Sequence, residues 1–172
     1  MANSDGRIGR YLEDFTVGDV YKHPFGRTIT ETDNIWFTLL TNNSNQMHFN
    51  AHYAAQSTFG KYLVNSGLTV AMVLGLSVLD VSQNGMANLS WDEIRLTHPV
   101  FVGDTLYAES IVTDVRESNS RPYAGIVSVK TRGLNQDGDV VVSWKRSVMV
   151  YKRDAPQDKD HFPIAAEPLT LD

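Results

Sequence analysis

The 172-residue chain has no cysteine, which removes disulfide frameworks, thiolate nucleophiles and thiolate-ligated zinc or iron–sulfur sites together. It is also short of positive charge. Fifteen Lys plus Arg against twenty Asp plus Glu leave a formal charge of -5 and an isoelectric point near 5.5, the wrong sign for a protein that binds by neutralising phosphates. A nucleic-acid partner is not expected. Long apolar runs are scarce as well: the first residues (MANSDGR) offer nothing that would serve as a signal peptide, and the apolar run at 67–79 is too short to cross a bilayer. No membrane segment is expected, and a cytoplasmic location is. The chain lacks a glycine-rich phosphate loop, a dinucleotide fingerprint and a GxSxG elbow, which counts against nicotinamide and serine-hydrolase chemistry.

What is present is ample apolar material. At 42% hydrophobic and 20% charged, the composition supports one sizeable core in a single domain. No internal repeat or low-complexity linker divides it. Residues 1–10 are small and polar, and residues 153–172 carry three of the six prolines. Both stretches read as tails around one unit at 11–152.

The segment 30–41 (TETDNIWFTLLT) opens with Thr30 and Asp33 three residues apart, a variant capping box. Ile35, Leu39 and Leu40 follow at helical spacing, and the asparagine-rich stretch at 41–45 should stop the helix. A short helical turn is expected over 51–56, broken by Gly60. Residues 66–79 (SGLTVAMVLGLSVL) are apolar nearly all round, with Ser66 as the N-cap and small residues at Gly67, Ala71 and Gly75. Such a helix must be buried, and its small residues would let a sheet approach one face. A strand is the competing reading, which length disfavours. Beyond it the period changes to two at 88–97, 105–115, 125–134 and 140–151, with turn signals at 99–104, 117–122 and 135–138. Within the last turn (NQDG), Gly138 can take a positive φ. A further short strand is possible at 17–23. The class is α+β, an antiparallel sheet wrapped around the buried helix.

The densest polar cluster is Asn42, Asn43, Ser44, Asn45, Gln46 and His48. Two readings stand for it: a polar loop with a structurally bonded histidine, or a proton-transfer site in which amides orient a water beside His48. His52, four residues on, would share a helical face with His48, but no third ligand for a metal lies nearby in sequence. His23, His98 and His161 are isolated and read as structural.

These residues resemble the MaoC-like hydratases and dehydratases of the hot dog fold, which include the R-specific enoyl-CoA hydratases. Their signature, acid-x-Asn-Pro-x-His and a small residue six positions on, reads here Asn43-Ser44-Asn45-Gln46-Met47-His48 with Ala54. The likeness continues through 60–69 (GKYLVNSGLT) and, most specifically, 98–106 (HPVFVGDTL). It implies a single hot dog domain that adds water across the 2,3 bond of an acyl-CoA thioester, or removes it, with no cofactor and no metal. By the same likeness His48 is the catalytic acid or base and Asn43 positions the water, while N–H groups at Ser66 and Gly67 polarise the thioester carbonyl. Asn45, Tyr53, Phe59 and Asn65 are the implied substrate contacts.

The family's aspartate is replaced by Asn43 and its proline by Gln46, and its usual His-Gly before the helix becomes Asn65-Ser66. Asn43 suits a subgroup acting on short branched or dicarboxylic thioesters of the itaconyl, mesaconyl or methylmalyl type, where the substrate's own carboxylate supplies the missing charge. A weaker hydratase, a hot dog thioesterase and a non-catalytic acyl-CoA binding module are the alternatives. The resemblance also implies a homodimer or an assembly of dimers, with the acyl chain between subunits. Trp36, Tyr53 and Phe59 are candidates for the acyl tunnel or for plain core, Trp91 and Trp144 for packing. Arg121, Lys130, Arg132 and Lys145 are the cations on hand for the ligand's phosphates, or ordinary solvated strand charges.

Overall fold

A computed structural model describes residues 8–156 and 163–170. His161 lies outside the described residues. Three helices, α1 (Glu31–Leu40), α2 (Ala51–Ala55) and α3 (Ser66–Ser77), precede most of the sheet. Its strands are β1 (Val20–Lys22), β2 (Arg27–Thr28), β3 (Gly85–Leu96), β4 (Thr105–Glu117), β5 (Ala124–Leu134) and β6 (Val140–Tyr151). They pair antiparallel in the order β1-β4-β5-β6-β3, with β2 also on β4.

The alternation in β4, β5 and β6 turns one face toward α3. Val112, Val127, Val129, Val142, Val148 and Val150 are buried there against Val73 of the helix and Val81 of the π-helical turn (Val78–Ser82) that prolongs it. Removing such branched side chains from water is the main stabilising contribution, about 25 cal/mol per Å². The close approach of helix and sheet is made possible from the sheet side. A Cβ at Gly133 would meet Val73 at 2.5 Å, so only glycine fits beneath the helix.

The small residues expected to serve that purpose on α3 do not. Gly67, Ala71 and Gly75 lie on its open face, away from the chain's own sheet. The expectation of a helix buried all round is therefore half met within one unit: Leu68, Thr69, Val73 and Ser77 are buried, and the opposite apolar face is open. The N-cap also differs. It is Asn65, whose Oδ1 accepts from the Gly67 N–H at 2.9 Å, and Ser66 is the first helical residue.

α1 carries the expected capping box: Thr30 Oγ1 accepts from Asp33 N–H and the Asp33 carboxylate from Thr30 N–H. Its faces, however, are inverted. Leu39 and Leu40, whose helical spacing would suit a buried stripe, are exposed, with Leu40 at 78% and Trp36 at 66%, whereas Asn34 and Thr38 are at 0%. The inner face of α1 covers polar backbone, and polar side chains answer it. Turn chemistry follows expectation at 135–138, where Gly138 has φ 88° and Asn135 Oδ1 accepts from two backbone N–H groups. Among the described residues no helix is long and apolar enough to cross a membrane.

Candidate active site

The asparagine cluster folds as successive turns that deliver His48 inward. Asn42 takes the left-handed conformation, φ 55°, which asparagine tolerates. Asn43 Oδ1 accepts from the Asn45 N–H at 2.9 Å, and Asn45 Oδ1 accepts from the Met47 N–H at 3.1 Å, starting the 3₁₀ turn Gln46–His48. These side chains bond the backbone two residues on, as short amides do. His48 at the end of the turn is buried. Asn50 then caps α2 by accepting from the Tyr53 N–H.

His48 Nδ1 lies 2.7 Å from the carbonyl oxygen of Leu63. A carbonyl only accepts, so Nδ1 carries the proton and the lone pair of the neutral ring resides on Nε2. Nε2 has no hydrogen-bond partner among the described residues. Leu63 is held in turn by the 98–106 segment: it bridges Phe101, and the next residue, Val64, donates to the Val100 carbonyl at 2.8 Å. Gly103, φ 98°, permits the tight turn there, and the Asp104 carboxylate accepts from the Phe101 N–H.

The start of α3 adjoins this histidine. Gly67 N–H is engaged by Asn65, while the N–H groups of Ser66 and Leu68 have no partner among the described residues. Such unpaired groups at the positive end of a helix stabilise negative charge. Ser66, Leu63, Phe59 and His98 line one cavity of about 330 Å³. His98, read as structural, thus sits on its wall, with Nδ1 near the Val140 carbonyl. Tyr53 and Trp36 are exposed and do not line it, and Phe59 stacks edge-on to Phe101.

Two residues that sequence reasoning missed join these parts. Asn34 Nδ2 donates to the carbonyls of His48, at 2.9 Å, and Leu63, at 3.2 Å, and its Oδ1 accepts from the Asn65 N–H at 2.9 Å. Thr38, one turn later, accepts from Asn65 Nδ2 at 3.1 Å. The available signal was two polar residues at i and i+4 on a helix whose other face is apolar.

A second buried histidine lies near the far end of α3. His23 Nδ1 donates to Asp80 at 2.8 Å, and Nε2 accepts from Ser110 Oγ at 2.9 Å, which in turn meets Thr131 Oγ1. Asp80 also binds Arg10. Burial pushes the His23 imidazole below its ordinary value, and the nearby Arg146 and Arg10 charges add to this against the opposing pull of Asp80. Arg146 itself is 1% exposed, its three guanidinium nitrogens have no hydrogen-bond partner among the described residues, and burial pushes it down to about 10.

Of the cations considered for phosphates, Arg132 pairs with Glu109 and Lys145 with Glu93, and both project with Lys130 from the sheet face opposite α3. Trp144 is buried, and Trp91, expected to pack, is partly exposed on β3 beside α3. His52 is exposed on α2.

An antiparallel sheet curled around one long helix, with a histidine beside the helix start, defines a hot dog domain of the MaoC-like hydratase and dehydratase class. The chain belongs to the mesaconyl-CoA hydratase family, whose model matches residues 3–162. It is 38% identical over 170 residues to a mesaconyl-CoA hydratase of Cereibacter sphaeroides, covering 95% of this chain and 49% of the relative. It is 35% identical over 146 residues to a beta-methylmalyl-CoA dehydratase of Chloroflexus aurantiacus, covering 85% and 41%. A solved structure described as a putative MaoC domain protein dehydratase from Chloroflexus aurantiacus superposes with a TM-score of 0.80 at 30% identity, over 99% of this chain and 46% of that one. The chain spans about half the length of the curated relatives it matches.

Proposed function

We propose that the chain hydrates a short dicarboxylic enoyl-CoA thioester of the mesaconyl type and, in reverse, dehydrates the corresponding methylmalyl-type thioester. The observation that carries this reading is the His48 imidazole, whose Nδ1–H is spent on the Leu63 carbonyl so that Nε2 is left as a base. In the forward reaction Nε2 takes a proton from water as the oxygen attacks C3, the electron pair moves to the thioester as an enolate, and the proton returns to C2. Such proton transfer contributes roughly a hundred- to ten-thousand-fold. The unpaired N–H of Ser66, with that of Leu68, receives the enolate oxygen; losing one such donor costs about 3 kcal/mol. Asn43 orients the water through its amide NH₂, since its Oδ1 is committed to the turn. The activities for which the relatives are named, mesaconyl-CoA hydration and beta-methylmalyl-CoA dehydration, support the substrate class.

The working form in this proposal is a cytoplasmic homodimer. The open face of α3 and Trp91 and Leu96 of β3 line one surface, Leu89 and Ile94 of the same strand are also exposed, and β3 has a free edge. Such an edge is ordinarily covered or blunted. A second unit docked there supplies the cover, as the doubled length of the relatives suggests.

The test is hydration of crotonyl-, octenoyl-, mesaconyl- and itaconyl-CoA, with mass measured by light scattering on the same sample. Preferred turnover of a dicarboxylic thioester by a dimer is expected. Binding without turnover on every thioester would move the chain to the binding modules, and hydrolysis to free acid would make it a thioesterase.

A further inference from the structure

We infer that Asn34 is the positioning residue of this site, one carboxamide that fixes the base and the helix start relative to each other. The inference rests on the hydratase reading for its kinetic consequence and on hydrogen-bond geometry for its structural one. Asn34 is fully buried and none of its side-chain bonding is spent on its own helix: both amide N–H bonds go to the carbonyls of His48 and Leu63, and its oxygen takes the Asn65 N–H. The Leu63 carbonyl is the same atom that holds His48 Nδ1, so Asn34 and His48 donate to one oxygen, each restricting where the other can sit. Asn65 is the same residue that caps α3 at Gly67, and its remaining amide group is tied to Thr38. Breaking the Asn34 contacts therefore frees the His48 backbone, the acceptor that sets its tautomer, and the cap that orients the Ser66 N–H. No other side chain among the described residues bonds to both the His48 segment and Asn65.

An apolar residue of similar size would satisfy packing at this position but leave the His48 carbonyl and the Asn65 N–H buried without partners and the Leu63 carbonyl with the His48 ring alone, which the interior does not tolerate. Asparagine is the side chain that offers two donors and an acceptor in this plane.

The test is Asn34→Asp, which keeps the shape and the acceptor for Asn65 but turns both donors into an oxygen facing two carbonyls. Expected is a kcat lower by about 100-fold, the order of loss that slight misplacement of a catalytic group produces, with KM little changed. The ¹⁵N spectrum of the His48 ring should change from one Nδ1–H tautomer to a mixture. Thr38→Val, isosteric and able to fold where Asn34→Asp does not, should give the same pattern at smaller size. Ser110→Ala, in the far cluster, should lower Tm and leave both kcat and the His48 spectrum unchanged. A wild-type kcat and an unaltered tautomer in Asn34→Asp would overturn the inference. If wild type hydrates no thioester, the hydratase reading fails, and the ring spectra still decide whether Asn34 positions His48.

Discussion

His48 and His23 are both buried, and both have Nδ1 hydrogen-bonded to an oxygen, yet their surroundings differ in kind. Around His48, at the start of α3, every partner is neutral: a carbonyl, two carboxamides and a hydroxyl. The network closes on itself and leaves one nitrogen, Nε2, without a bond. Around His23, beyond the other end of α3, the partners are Asp80 with its Arg10, and Ser110 with its Thr131, and both ring nitrogens are occupied. A base needs a free lone pair, and a structural histidine needs none. On that ground the charged cluster, which resembles a catalytic relay by its residue types, holds the sheet to the helix, and the neutral one holds the ring proposed above as the base.

The comparison can be broken most forcefully at the two rings. His48→Ala should lower hydration turnover about a thousandfold, within the range for general acid–base groups, with little change in Tm; His23→Ala should do the reverse, and steady-state kinetics beside thermal unfolding tell them apart. Next in size is Asp80→Ala. It leaves Arg10 without its counter-charge and the His23 Nδ1–H without its acceptor, and removal of one buried partner costs about 3 kcal/mol, visible as a Tm lower by roughly 10 °C in a chain of this size. Arg146→Met goes the other way. A buried guanidinium without partners opposes folding, so an apolar side chain of similar length should stabilise by about 1–3 kcal/mol, read from the urea midpoint.

The smallest effect is on pH. The folded state holds His23 below its ordinary value of 6.5, so under mildly acidic conditions the unfolded chain binds a proton that the folded one resists. Stability should therefore fall as pH drops below that value, and His23→Gln should flatten the slope. An unchanged slope in the variant would assign it to other groups.

Much of this was legible in one dimension. The period-two runs gave β4 to β6 within two residues at their ends, Thr30 and Asp33 marked the start of α1, and NQDG marked the last hairpin. His48 stood out because its asparagines spell turns. The rest depended on three-dimensional neighbours. Asn34 and Thr38 look like surface residues of α1 until the carbonyls of His48 and Leu63 are placed beneath them, and the Leu39 and Leu40 face looks like core for the same reason. Asn65 and Ser66 are both good N-caps, so spacing alone did not choose between them. Asp80 meets His23 across 57 residues, a pairing no local pattern announces. The open face of α3 was misread because apolar residues signal burial without saying against what.

The central claim, that the Leu63 carbonyl fixes the Nδ1–H tautomer of His48 and leaves Nε2 as the free nitrogen, is tested most directly by ¹⁵N NMR of the histidine rings in the wild-type protein near neutral pH. The account predicts a single Nδ1–H tautomer for His48, with an Nε2 resonance that shifts when a non-reactive acyl-CoA analogue is added, while His23 does not respond. An Nε2–H tautomer at His48, or a ligand response at His23 alone, would contradict it.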